Sequence, residues 1–120
     1  MSTHNDAARD AKYRDPSVGS VHTPMAMSRE IVAAMDAALF APGKTFLDPA
    51  CGSGNLLVAV AERRLSLGVT PSDVAATTFG VDINAEAVSE ALDRLSLLLG
   101  EENRSTMAAN FDVRDWLTTN

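Results

Sequence analysis

The sequence predicts an α/β fold with a parallel sheet, about half of a Rossmann-like domain. Three observations predict it. Segments of helical periodicity alternate with short apolar runs, in the order helix, strand, helix, strand, helix, strand. Strands joined through helices pair in parallel by right-handed crossovers. A glycine-rich turn from Pro49 to Gly54 separates the first strand from the helix after it. The length of 120 residues allows one small domain. It is too short for seven strands and their helices, which take roughly 150–250 residues.

Each element has its own signal. Residues 1–18 are polar and small and read as a loose tail ahead of a domain over 19–120. Gly19 to Pro24 is a loop by its Gly and Pro punctuation. Ser28 reads as an N-cap with Glu30 in the first turn, and Ile31, Met35, Ala38 and Leu39 give a helix over 29–40. Ala41-Pro42-Gly43 ends it. Thr45 to Asp48 reads as a buried strand. Asn55 to Leu67 returns to helix, apolar nearly all round in its first two turns, and Gly68 closes it. Pro71 to Ala76 is a short helical connection, and Thr77 to Ile83 the second strand. Asn84 caps a helix over 85–99 with Val88, Leu92, Leu95 and Leu99 inside and Glu90–Arg94 as an outer i,i+4 pair. Gly100 sits as a C′ glycine. After a polar turn, residues 107–114 hold the third strand.

Composition excludes several function classes. The chain carries 16 acidic and 10 basic residues, a net charge of −6. A free-standing nucleic-acid binder needs clustered Lys and Arg. The densest basic stretch, Arg9, Lys12 and Arg14, is interleaved with Asp6, Asp10 and Asp15. One cysteine, Cys51, excludes a disulfide framework and a multi-thiolate zinc site within the chain and suits a reducing compartment. Cys51 reads as a small buried residue, because no His is placed to activate it. His4 and His22 are too isolated for a metal. No apolar run reaches the ~20 residues of a membrane span, and no signal peptide opens the chain. The expectation is a soluble cytoplasmic protein.

The residues that carry chemistry lie at strand ends. Asp48 ends the first strand, the turn pivots on Gly52 and Gly54, and a helix starts at Asn55. Open parallel sheets bind ligands at this edge, and glycine lets a ligand approach the backbone. A Walker loop is excluded, since no Gly-Lys-Ser/Thr follows. A dinucleotide fingerprint fits poorly, lacking its third glycine. Asp82, at the end of the second strand, can accept from both ribose hydroxyls of an adenosine, and Ile83 can lie against an adenine face. Asp115, near the end of the third strand, can accept from an exocyclic amine, with Trp116 as a flat apolar surface. Three acids and one glycine loop would converge on a nucleoside-bearing ligand.

At these residues the sequence resembles a family. Asp48-Pro49-Ala50-Cys51-Gly52-Ser53-Gly54-Asn55-Leu56-Leu57 is similar to the cofactor loop of S-adenosylmethionine-dependent N6-adenine DNA methyltransferases of restriction–modification systems. Gly80-Val81-Asp82-Ile83-Asn84 resembles that family's second motif, where the acid binds ribose. Gly19-Ser20-Val21-His22-Thr23-Pro24 resembles the Gly-x-x-Tyr-Thr-Pro element at the methionine end of the cofactor, with His22 in place of the aromatic. Asp115-Trp116-Leu117 resembles the Asp-Phe-Leu element beside the adenine. The resemblance covers about residues 19–117.

It implies the N-terminal part of a class I methyltransferase fold and S-adenosyl-L-methionine as cofactor. The implied cofactor residues are Thr23, Pro24, Asp48, Pro49, Ala50, Gly52, Gly54, Asn55, Asp82, Ile83, Asp115 and Trp116. Asp48, Gly52 and Gly54 would surround the methionine part, Asp82 the ribose, and Asp115 and Trp116 the adenine. The family's catalytic tetrapeptide, Asn or Asp then Pro-Pro-Tyr or Phe, is not among the 120 residues, which contain no Pro-Pro pair. That tetrapeptide holds the flipped adenine. The expectation is a cofactor-binding half that is inactive alone and has no catalytic residue of its own. It would reach DNA through a C-terminal part or a partner subunit. A non-catalytic S-adenosylmethionine-binding or interaction module is the alternative. In the parent fold strand 45–48 is central; here it would be an edge, inviting a homodimer or a complementing methyltransferase half.

Overall fold

The computed structural model describes residues 23–115. The 1–18 tail, most of the Gly19–Pro24 loop and Trp116 lie outside them. Helix α1 spans Met25–Ala34 and is followed by a 3-10 turn, Ala37–Phe40. Strand β1 (Phe46–Asp48), helix α2 (Asn55–Ser66), helix α3 (Pro71–Ala76), strand β2 (Thr78–Asp82) and helix α4 (Ala85–Leu99) come next. A 3-10 turn at Glu101–Asn103, helix α5 (Arg104–Ala108) and strand β3 (Phe111–Val113) complete the order.

The sheet order is β1-β2-β3, and both pairs are parallel. Phe46 pairs with Thr78, and Gly80 with Phe111. Two right-handed crossovers that step the same way along a sheet place their helices on one face. Side chains alternate across a strand, so Phe46, Thr78, Gly80 and Phe111 share the helix-covered face. Phe40 stacks on Phe46 there, with ring centroids 5.5 Å apart, and the Arg64 guanidinium lies 5.1 Å from the centre of the Phe46 ring. The core behind this face gathers Met25, Val32, Leu57, Val60, Val74, Val88, Leu95, Leu99 and Met107.

The opposite face carries Leu47, Phe79, Val81 and Asp112. It forms an open groove of about 570 Å³ lined also by Thr45, Ala109, Asn110 and Arg114. Strand β1 is an edge of the sheet, as the missing neighbour strand of the parent fold implied, and not the buried strand that its apolar run alone suggested: Leu47 keeps 49% of its surface exposed, because among the described residues no strand lies beyond it.

Local chemistry explains where helices begin and end. The α1 signal was misread by four residues. Pro24, with its fixed φ of −58°, is the N-cap, and its carbonyl accepts from Ser28 N at 2.9 Å. Ser28 is therefore inside the first turn and fully buried, not a cap. The helix stops at Ala34 because Asp36 adopts extended backbone and accepts from Ala38 N, starting the 3-10 turn. Phe40 turns inward after that break, while Ile31 in α1 and Ala38 and Leu39 in the 3-10 turn are exposed, so three of the four residues whose spacing suggested one long helix face solvent. The α4 cap is as read: the Asn84 side chain accepts from Glu86 N and Ala87 N. The outer pair on α4 is not. Arg94 is 7% exposed and points into the protein, where Ser53 O and Asn55 Oδ1 accept from its guanidinium. The expected polar turn after Gly100 is mostly helical.

Candidate functional site at the carboxyl edge of the sheet

The site is assembled from backbone outward. After Asp48 the chain turns away from β1, and the loop docks on the end of β2 through Cys51 N to Val81 O at 2.8 Å. Gly52 N then donates to Asp82 Oδ2 at 2.9 Å. The other carboxylate oxygen, Oδ1, accepts from Asn84 N at 2.9 Å. The Asp82 carbonyl accepts from Arg114 N, also at 2.9 Å. One residue thus joins the glycine loop, the approach to α4 and the end of β3. Asp82 is 7% exposed, and its carboxylate keeps acceptor capacity beyond these two bonds.

Asp48 faces the same region. Its Oδ1 accepts from Ala50 N at 3.1 Å. Burial raises its pKa above the ordinary carboxylate value, the Ala50 N–H lowers it, and the nearby Asp82 charge raises it further. The thiol of Cys51 is pushed up to about 12, mainly by burial and also by Asp48 and Asp82. It is a packing residue, as its sequence context suggested.

Two glycines shape the loop. Gly52 has φ +54° and Gly54 φ +92°, left-handed backbone that favours glycine. A Cβ on Gly54 would lie 2.9 Å from Ala91 Cβ. Gly54 therefore sets how closely the start of α2 approaches α4, a packing role beside any contact with a ligand. The Ser53 hydroxyl is buried and has no hydrogen-bond partner among the described residues.

Apart from Gly54, the predicted site residues fall into three groups. Asp48, Pro49, Ala50, Gly52, Asp82 and Ile83 come together at the carboxyl ends of β1 and β2, with Ile83 51% exposed. Exposed Asp115 follows β3 at the same edge. Asn55 and Thr23 meet beneath the loop, where Asn55 Nδ2 donates to Thr23 O at 2.9 Å. Pro24 opens α1 beside them. Trp116 lies outside the described residues. Among those residues no cluster of three or more His, Cys, Asp or Glu could hold a metal, and no helix is long and apolar enough to cross a membrane.

Sequence reasoning missed Arg94. Its Nη1 donates to Ser53 O at 2.8 Å and to Asn55 Oδ1 at 2.7 Å. A signal was available: position 94 falls three residues after Ala91 and seven after Ala87, on the inward side of α4.

The family model described as N-6 DNA methylase matches residues 8–114. Comparison with curated proteins and with solved structures gives no match. The family match spans most of the chain, both the glycine loop and Asp82 lie within it, and the parallel sheet agrees with it. The chain belongs to the N-6 DNA methylase family.

Proposed function

We propose that this chain supplies the S-adenosylmethionine-binding part of a restriction–modification-type DNA adenine-N6 methyltransferase. The observation that carries the reading is the Gly52–Asp82 bond, which sets a carboxylate against a glycine loop at the carboxyl edge of a parallel sheet. The donor set suits the cofactor. Asp82 has acceptor capacity left for ribose hydroxyls. Half-exposed Ile83 offers an apolar surface for adenine, and Asp115 a carboxylate for its amine. Asp48 and the loop backbone are the groups this reading sets around the methionine part. Bound there, S-adenosylmethionine supplies an electrophilic methyl group. The residues of this chain bind and orient it and leave the acceptor base to others.

In this reading the target adenine of the DNA is held by sequence outside these 120 residues or by a partner subunit. The open groove and the β1 edge support a partner, because parallel sheets are normally covered on both faces. A complementing methyltransferase half or a second copy would serve. A buried, unreactive thiol suits the cytoplasm.

Incubation with radiolabelled S-adenosylmethionine and mixed-sequence DNA tests the division of labour. The expected result is label retained on the protein and none transferred to DNA. Label on the DNA would contradict the division, and no retention would contradict the cofactor site.

A further inference from the structure

Three segments meet beneath the proposed cofactor loop: Thr23 ahead of α1, Ser53 in the loop, and Asn55 at the start of α2. They are brought together by one side chain from a fourth, α4. Arg94 Nη1 donates to Ser53 O at 2.8 Å and to Asn55 Oδ1 at 2.7 Å. Its Nη2 lies 3.4 Å from Met25 Sδ. The same Asn55 side chain donates from Nδ2 to Thr23 O at 2.9 Å. The result is a relay from Arg94 through Asn55 to Thr23.

Helix stability does not account for a cation in this place. The N-terminus of a helix carries partial positive charge and disfavours a guanidinium. Burying the guanidinium also removes its hydration. What the guanidinium does achieve is geometric. Gripping Ser53 O fixes the plane of the 53–54 peptide, which leads into Gly54 at φ +92°. No side chain caps α2 at that residue. The loop's left-handed turn is therefore held from beneath by Arg94.

We infer that Arg94 is a positioning residue for the cofactor loop, coupling the 53–55 turn to the Thr23–Met25 segment. This rests on the cofactor reading above. Arg94 touches no ligand in this account; it acts through Ser53 and Asn55.

The test uses the full chain as wild type, Arg94→Lys, Arg94→Met and Arg64→Met. Arg64 is the matched control, a fully buried arginine near the far end of α2 that bonds Thr77 Oγ1 at 2.7 Å. Each protein is measured for melting temperature, site-resolved amide exchange and S-adenosylmethionine affinity by calorimetry. Arg94→Met should speed exchange selectively at Gly54 and Val58. It should also weaken affinity about tenfold or more, the size expected for a lost charge-assisted hydrogen bond. Arg94→Lys should recover part of both. Arg64→Met should lower the melting temperature with loop exchange and affinity little changed.

If Arg94→Met alters only the melting temperature, as Arg64→Met does, the inference is overturned. If wild type binds no S-adenosylmethionine, the cofactor reading fails, and the exchange pattern still decides the role of Arg94. If Arg94→Met does not fold, the Arg94→Lys pattern decides: selective loosening at Gly54 and Val58 supports the inference, and wild-type exchange there overturns it.

Discussion

Gly52 N donates to Asp82 Oδ2 across 30 residues of sequence, at 2.9 Å. The bond closes the glycine loop onto the second strand. The other oxygen of the same carboxylate is held by Asn84 N. Both oxygens are thus acceptors, which an amide cannot reproduce. Asp82→Asn would turn an NH2 toward one of two backbone N–H groups. Leaving a donor without an acceptor costs about 1–3 kcal/mol when it is fully buried, and these two are part-buried, so the lower end applies. Chemical denaturation should show a loss of about 1 kcal/mol.

Gly54→Ala should be more harmful than its size suggests. The substitution forces left-handed backbone on alanine, at about 1–2 kcal/mol. It also drives a methyl against Ala91, 2.9 Å away, an overpacking cost of about 1–3 kcal/mol. Adding Ala91→Gly should remove the second cost and not the first. A double-mutant cycle on unfolding free energies reads the coupling, which should be clearly favourable.

Asp48 gives a pH dependence of known sign. Its folded pKa is raised, chiefly by burial. Between the ordinary and the raised value the folded state binds more protons than the unfolded, so stability falls as pH rises through that window. Above it the full penalty of the buried charge applies. Asp48→Asn should therefore stabilise the protein at neutral pH, and the gain should vanish in acid below the ordinary carboxylate pKa. Melting curves across pH check this.

Cys51 should be inert in the folded protein. With its pKa pushed up to about 12, mainly by burial, and only 4% of its surface exposed, it presents almost no thiolate near pH 8. Iodoacetamide should label it only after denaturation, as mass spectrometry of native and unfolded samples would report.

Much of this was legible in the sequence, for physical reasons. The loop and its flanking strand and helix follow from a short apolar run, two glycines and a helical pattern. Asn84 and Gly100 act as local caps that need no tertiary partner. What failed were signals decided by long-range contact. Ser28 has the chemistry of an N-cap, but Pro24 starts the helix first. Glu90 and Arg94 have the spacing of a surface pair, but Arg94 finds Ser53 and Asn55, about 40 residues away. Strand β1 has the composition of a buried strand, and its place at the sheet edge was legible only through the family resemblance, not from its own residues. Neighbours distant in sequence made each of these choices.

The central claim is that the carboxyl edge of this sheet holds S-adenosylmethionine, with Asp82 at its centre. Titration calorimetry with S-adenosylmethionine on wild type and Asp82→Ala, both verified as folded, tests it most directly. Wild type should bind saturably and one to one, and affinity should be at least about tenfold weaker in the variant, as for a lost charged hydrogen bond. Absence of binding by folded wild type, or equal affinity in Asp82→Ala, would contradict it.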